Sequence, residues 1–443
     1  MGLSGAPGAM VLVTRNGSGL FEKSYGFRNA KTKEPVTSST LFLTASVTKT
    51  ITTAALLTVC SKKGISTDTE IGQILTDLPD EIAQLSIHQI LSQSSGVLDH
   101  WPTRKKWKND PPGYFAHFGN RLHSKDLEGV FSYTNFGHVL AGMLLSELHG
   151  SPFDEAIQDI LLAPLEMNQT TYSVEDQTWT NHSAAHRNRK VVPHDYTFPL
   201  IRASASMFST AGDLSKFADC FMNQGVSKGK QVIPIDVIRM MSGKHTPVGV
   251  MHNYFGYPGS YYGYGLMSFS FHGVSFVGHP GETTTQNLLF AMAPKSKTSL
   301  VIMSNSGLYP FIRTFEVLTD AFLGEYSKPL DTSTVNYDTR TDREVSGTGT
   351  DLREQLKEFT GRYFIPSISG GKENSIEVFL KGTALQLELS EEEAYELTWL
   401  GDDHFSYVSP QLKFDLEIRF FRDMDGKVRY LNNYWKTAVK VNP

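Results

Sequence analysis

The sequence predicts an α/β sandwich with an inserted helical region, followed by a small antiparallel β-barrel. Three observations carry this expectation. Strand-like runs open the chain and return from about residue 262, with helical periodicity between them. The polar stretch "PLDTSTVNYDTRTDREVSGTGT" near 329–350 has no hydrophobic period and reads as a linker. After it come short alternating runs with Gly and Asp-Gly turns, enough for a closed or sandwiched set of strands. Strands at both ends of the first segment, with helices between, imply one sheet assembled from distant parts of the chain. The expected domains are 1–328, a linker 329–352, and a barrel 353–443.

In order along the chain, "AMVLVTRNGSGLFEKSYGF" gives two strands, with Asn16-Gly17 supplying the positive φ angles of a tight hairpin turn. From Ser46 to Lys63 the pattern is that of an amphipathic helix, with Val47, Ile51, Ala54, Ala55 and Val59 near one face and Gly64 as its C-cap. "IGQILTDL", "SIHQILSQSSG", "FGHVLAGMLLSELHG" and "FDEAIQDILLAPL" continue the helical region. "YGYGLMSFSF", "VSFVGH", "TQNLLFAMAP" and "KTSLVIMSNSG" restore the β pattern, and "PFIRTFEVLTDAFLGEY" closes the first domain as a helix.

Composition narrows the function. At 443 residues, two domains are the default. A net charge of −5 without a Lys/Arg block argues against nucleic acid as a partner and for a small or neutral substrate. The start, "MGLSGAPGAMVLVTRNG", has no basic segment leading into an apolar one, and no apolar run approaches a membrane span, so a cytoplasmic, membrane-free chain is expected. Cys60 and Cys220 are too few for a disulfide framework and lack metal spacing. His182 and His186 lack a third ligand, so neither a metal nor a cofactor is expected.

Ser-x-x-Lys occurs three times, at Ser46, Ser227 and Ser369, and only Ser46-Lys49 lies where a strand-like "TLFLT" gives way to a helix. Residues i and i+3 share a helix face, so the Lys49 amine can reach the Ser46 hydroxyl. A lysine of ordinary pKa near 10.4 is a poor base at neutral pH, so catalysis requires Lys49 to be buried or paired with a second cation. The alternative for "TASVTKT" alone is a helix cap beside a solvated lysine. "FSYTNFGHVLAG" places Tyr133 and Asn135 at the head of another apolar helix. A tyrosine hydroxyl can relay protons, given cations that favour its phenolate, and an asparagine amide can bond both the lysine and a substrate carbonyl. In "FVGHPGETTTQNLLF", Gly281 lets a substrate approach the strand edge, and the Glu282 N–H can join that of Ser46 as an oxyanion hole. His279 either orients the tyrosine or binds substrate, though a lone histidine between strands is more often structural.

In this order and spacing the three segments resemble the serine β-lactamase and penicillin-binding protein superfamily, in its class C β-lactamase, D-aminopeptidase and esterase branch. "SIHQILSQSSGVLDH" and "ASASMFSTAGDLSKFADCFMNQG" extend the likeness over nearly all of 7–325, and the tail from about 353 resembles the lipocalin-like barrel of some D-aminopeptidase relatives. The resemblance implies Ser46 as nucleophile, Lys49 and Tyr133 as the proton-transfer pair, Asn135 in support, and His279 in place of the Lys of Lys-Thr-Gly. That replacement counts against true β-lactamase activity. Pro280 removes one N–H, Glu282 adds an acid near the site, and the N-terminus looks short against the family. The expected function is hydrolysis of a small ester, amide or D-amino-acid/peptide-like bond through an acyl-enzyme on Ser46. The alternatives are an acyltransferase or cyclase using the same intermediate, and a non-catalytic scaffold of the same fold.

Overall fold

The computed structural model describes residues 6–99, 110–172, 180–187, 189–193, 199–248, 260–307, 311–326, 349–365, 375–390, 393–401, 403–409, 414–423, 425–433 and 436–441. Asn16 and Gly17 take φ values of 50° and 74°, the pair that a two-residue hairpin turn demands. The strand Gly8–Arg15 therefore folds back on Ser18–Asn29. Its other edge receives the distant strand Thr298–Ser304, with Val11 opposite Ile302. A nine-stranded antiparallel sheet results, in the order Thr246–Pro247, Tyr261–Tyr262, Met267–Phe271, Val274–Glu282, Asn287–Ala293, Thr298–Ser304, Gly8–Arg15, Ser18–Asn29, Glu34–Pro35.

Alternation along the central strands feeds two cores. Met10, Leu12, Leu288, Phe290, Val301 and Met303 face the helices Thr48–Lys63, Phe136–His149 and Ala211–Met222. Val11, Val13, Leu289, Ala291, Leu300 and Ile302 face Phe311, Phe315 and Leu318 of the helix Phe311–Leu323. Both faces are covered, which is why these strands read as unbroken apolar runs.

Two elements differ from what the sequence predicts. "IGQILTDL" forms only a 3-10 turn, Ile71–Gln73, because the Ile71 N–H bonds the Leu85 carbonyl and Asp77 enters the left-handed region at φ 63°. The helix Thr48–Lys63 is not amphipathic: every residue from Thr48 to Cys60 is buried. Its threonines spend their hydroxyls on neighbouring elements, Thr50 donating to the Gly265 carbonyl and Thr52 to the Ala203 carbonyl, while Thr53 pairs with His138 Nε2. A polar stripe on a helix was thus a sign of buried hydrogen bonding rather than of solvent. Gly64 caps the helix in the left-handed conformation, as its position suggested.

The C-terminal strands close an eight-stranded barrel in sequential up-and-down order, Gly361–Phe364 through Lys436–Lys440. Tyr363, Val378, Leu387, Phe405, Phe420 and Leu431 fill its interior, joined by Leu356 and Phe359. The helix Gly349–Lys357, which carries Leu356, begins inside the stretch expected to be linker, most of which lies outside the described residues. Barrel and sheet domain meet where Val439 packs with Leu98 and Leu127, and where the Thr437 hydroxyl donates to the Phe131 carbonyl. Among the described residues no helix is long and apolar enough to cross a membrane.

Candidate active site

Between residues 41 and 60 only Ser46 is not buried. It sits in the 3-10 turn Ala45–Val47 that leads into the buried helix, and the residue before it, Ala45, holds φ at 46°. A non-glycine residue there stores strain that the surroundings must hold. They do so from two sides: the Thr44 N–H and hydroxyl both donate to the Met207 carbonyl, and the Thr48 hydroxyl donates to the Ala45 carbonyl. Gln286 adds a third tie by accepting from the Leu43 N–H at 2.9 Å.

Lys49 is fully buried, the condition that the sequence argument set for a lysine base. Its Nζ donates to Ser46 Oγ at 3.2 Å, to Asn135 Oδ1 at 2.7 Å and to the Ser204 carbonyl at 3.1 Å, and it lies 4.8 Å above the Tyr133 ring. Asn135 stands at the head of the helix Phe136–His149 and brings that helix to the dyad. Tyr133 is buried, with its ring beneath the Lys49 amine; burial, then Tyr262 and Asp99, push its pKa well above the usual value, while Ser46 acts in the opposite sense. Tyr133 is therefore a neutral phenol, and the phenolate considered at the sequence level is not favoured here.

The polar contacts of His279 go to Pro280 and Tyr262. Its Nδ1 faces the Pro280 carbonyl at 2.6 Å, which can only accept, so Nδ1 carries the proton. Nε2 then accepts from the Tyr262 hydroxyl at 3.0 Å. His279 thus bonds Tyr262, and its ring lies tilted at 46° to that of Tyr133, with 6.1 Å between centroids. Burial, reinforced by the Lys49 charge, lowers its pKa to about 3 against the bond to Pro280. The same two causes, with His279 itself, hold His138 well below its usual value.

Both histidines titrate near 6.5 in an unfolded chain. Below that pH the unfolded state binds more protons than the folded one, so their contribution to stability is present above about pH 6.5 and is lost as pH falls, for His279 down to about pH 3. Each loses up to about 1.4 kcal/mol per pH unit in that window. Urea unfolding at pH 7 and pH 4.5 should therefore show a loss that is smaller, by about 2 to 3 kcal/mol, in His279→Gln than in the wild type. An identical loss in both proteins would contradict the assignment of a buried neutral ring.

Gly281 places the strand Val274–Glu282 against the nucleophile turn. A Cβ at 281 would lie 2.1 Å from the Thr44 carbonyl oxygen, so only glycine allows this approach. Glu282 ends the strand, exposed and paired with Asn287. Gly281→Ala is expected to cost about 1 to 3 kcal/mol through overpacking. Because it displaces Ser46, it should also slow acylation by about 100-fold. Thermal melting and ester turnover measured together check both.

Sequence reading missed four participants. Gln93, at φ 58°, clamps the tyrosine segment: its carbonyl accepts from the Ser132 N–H, its Oε1 from the Thr134 N–H, and its Nε2 donates to the Thr134 carbonyl. Asp99 accepts from the Thr134 hydroxyl, the Asn135 N–H and the Asn135 amide. Tyr262 and the Ser204 carbonyl complete the set. The only signal for Gln93 and Asp99 was the family-like look of "SIHQILSQSSGVLDH", which marks a loop without naming its partners. Two aromatic-rich segments, 99–123 and 251–265, read in the sequence as either cleft walls or surface loops; residues 100–109 and 251–259 of them lie outside the described residues. Cys60 and Cys220 offer no rival nucleophile, since burial pushes their thiols up to about 11 and about 12.

Comparison with known proteins follows the same lines. The Beta-lactamase family model matches residues 1–315. Penicillin-binding protein 4 of Amycolatopsis lactamdurans is 22% identical over 317 residues, 68% of this chain and 81% of that protein. Protein flp of Staphylococcus aureus (strain MW2) is 26% identical over 190 residues, 41% of this chain, and the match spans only 36% of that protein's length. Among solved structures, SurE superposes with a TM-score of 0.75 at 20% identity, covering 99% of this chain and 96% of that one. The octameric penicillin-binding protein homologue from Pyrococcus abyssi gives 0.64 at 21% identity, covering 99% and 97%. At these identities the two structures speak for the fold.

Proposed function

The chain belongs to the Beta-lactamase family, and from that membership we propose that it is a serine hydrolase that forms an acyl-enzyme on Ser46. The observation that carries this reading is the saturation of Lys49 by three acceptors, of which only Ser46 can donate in return. When Lys49 is a neutral amine, it keeps two N–H bonds. The Asn135 amide oxygen and the Ser204 carbonyl can only accept, so they hold both, and the lone pair is left facing Ser46 Oγ. A general base aimed at a hydroxyl 3.2 Å away is what nucleophilic catalysis requires.

In the proposed cycle, Ser46 attacks the substrate carbonyl carbon as its proton passes to Lys49. The oxyanion is held by the N–H groups of Ser46 and Glu282, the strand Val274–Glu282 being packed against the nucleophile turn. Tyr133, a buried phenol beside Lys49, hands its proton to the leaving oxygen or nitrogen and is reprotonated from Lys49. The pair then runs in reverse, drawing a proton from water as it attacks the ester carbon, and Ser46 is released with a carboxylic acid product.

The substrates proposed are small esters, amides or D-amino-acid/peptide-like acyl donors. SurE has been solved with D-Leu, which makes D-leucyl esters and amides the first peptide-like donors to assay. The test is turnover of a p-nitrophenyl ester series with product analysis in the presence of added amines and alcohols. Free acid as the main product supports hydrolysis. Amide or ester products at modest nucleophile concentration would move the reading to acyl transfer, and no turnover of any donor would overturn it.

A further inference from the structure

We infer that Asp99 is a positioning residue that aims the lone pair of Lys49 at Ser46 by fixing which end of the Asn135 amide faces the lysine. The inference rests on the acyl-enzyme reading above and concerns a residue outside the three motifs that point to it.

Asp99 Oδ1 accepts from the Thr134 hydroxyl at 2.8 Å and from the Asn135 backbone N–H at 2.7 Å, and its Oδ2 accepts from Asn135 Nδ2 at 3.3 Å. A carboxylate only accepts, so the nitrogen end of the amide must face Asp99 and the oxygen end must face Lys49, where it stands 2.7 Å from Nζ. Turned over, the amide would present an N–H to the lysine. A neutral Lys49 would then accept that hydrogen on its lone pair, in place of the Ser46 proton, and the base would be blocked. The carboxylate prevents this with its charge, and the backbone bond from Asn135 keeps it in place. Asp99 contributes no atom to the reacting centre; it decides what Lys49 can do there.

A role in positioning separates from one in anchoring the loop through the pH profile. Among the described residues, the titratable groups that face this cluster are Lys49, Tyr133, Tyr262, His138 and His279, with Tyr114 beside Asp99. His138 and His279 stay neutral through the working range. Removing the Asp99 charge favours the neutral amine of Lys49, so the acid limb of acylation moves to lower pH even as the rate falls. A carboxylate one methylene longer keeps the charge and therefore the limb.

The experiment measures the rate of Ser46 labelling by a fluorophosphonate from pH 5 to 9 in the full chain, for wild type, D99N, D99E and S46A, with melting temperatures for each. Expected are a labelled wild type, an unlabelled S46A, a D99N slowed by roughly 100-fold, the low end of what a positioned base contributes, with its acid limb displaced to lower pH, and a D99E whose limb coincides with that of the wild type. A D99N with wild-type rate and limb overturns the inference. So does a slow D99N with an unmoved limb, which would mark Asp99 as a loop anchor. Should D99N not fold, a displaced limb in D99E overturns it equally. An unlabelled wild type overturns the acyl-enzyme reading itself and takes this inference with it.

Discussion

Ser46→Ala is expected to lower turnover of any acyl substrate by about a million-fold, the loss seen when the nucleophile of a concerted set is removed. The fold should survive. Ser46 is the one incompletely buried residue in a segment held by Thr44, Thr48 and Gln286, none of which depends on its hydroxyl. The change removes one acceptor from Lys49 and leaves Asn135 and Ser204 in place, a cost of about 1 kcal/mol. A protein that melts within a few degrees of wild type and has no activity identifies the hydroxyl as the reacting group. Residual turnover within tenfold of wild type would place the chemistry elsewhere.

Lys49→Met carries the second largest effect. The methionine fills the buried space but supplies neither base nor donor, so the rate should fall by about 10³- to 10⁴-fold, the upper part of the range for general base catalysis. Stability is pulled in two directions. The Asn135 amide oxygen and the Ser204 carbonyl lose their donor, at about 1 to 3 kcal/mol each. Removing an ammonium from a fully buried position offsets part of that. Lys49→Arg separates the two roles: it keeps a charged donor but cannot give up its proton, so it should be as inactive as the methionine variant. Activity in Lys49→Arg would show that the lysine acts as a charge and not as a base.

The fold was legible where periodicity and turn chemistry agreed. Asn16-Gly17 located the first hairpin, and the β pattern after residue 262 located the strands that complete the sheet. The helix Thr48–Lys63 was found but misjudged, because threonines that bond carbonyls of other elements look the same in sequence as threonines that face water. Ser46, Lys49, Tyr133 and Asn135 were legible because helix spacing limits which side chains can meet, and the structure brings them together. Asp99, Gln93 and Tyr262 were not, because their contacts run between segments whose pairing depends on the whole fold. The sequence points to His279 as a residue near the site, but its partner, Tyr262, is read only from which atom the Pro280 carbonyl accepts.

The most direct test of the central claim is the mass of the full chain after exposure to a fluorophosphonate, followed by mapping of the modified peptide. The account predicts a single adduct on Ser46 that is absent from Ser46→Ala. An unmodified wild-type protein, or an adduct on any other residue, would contradict it.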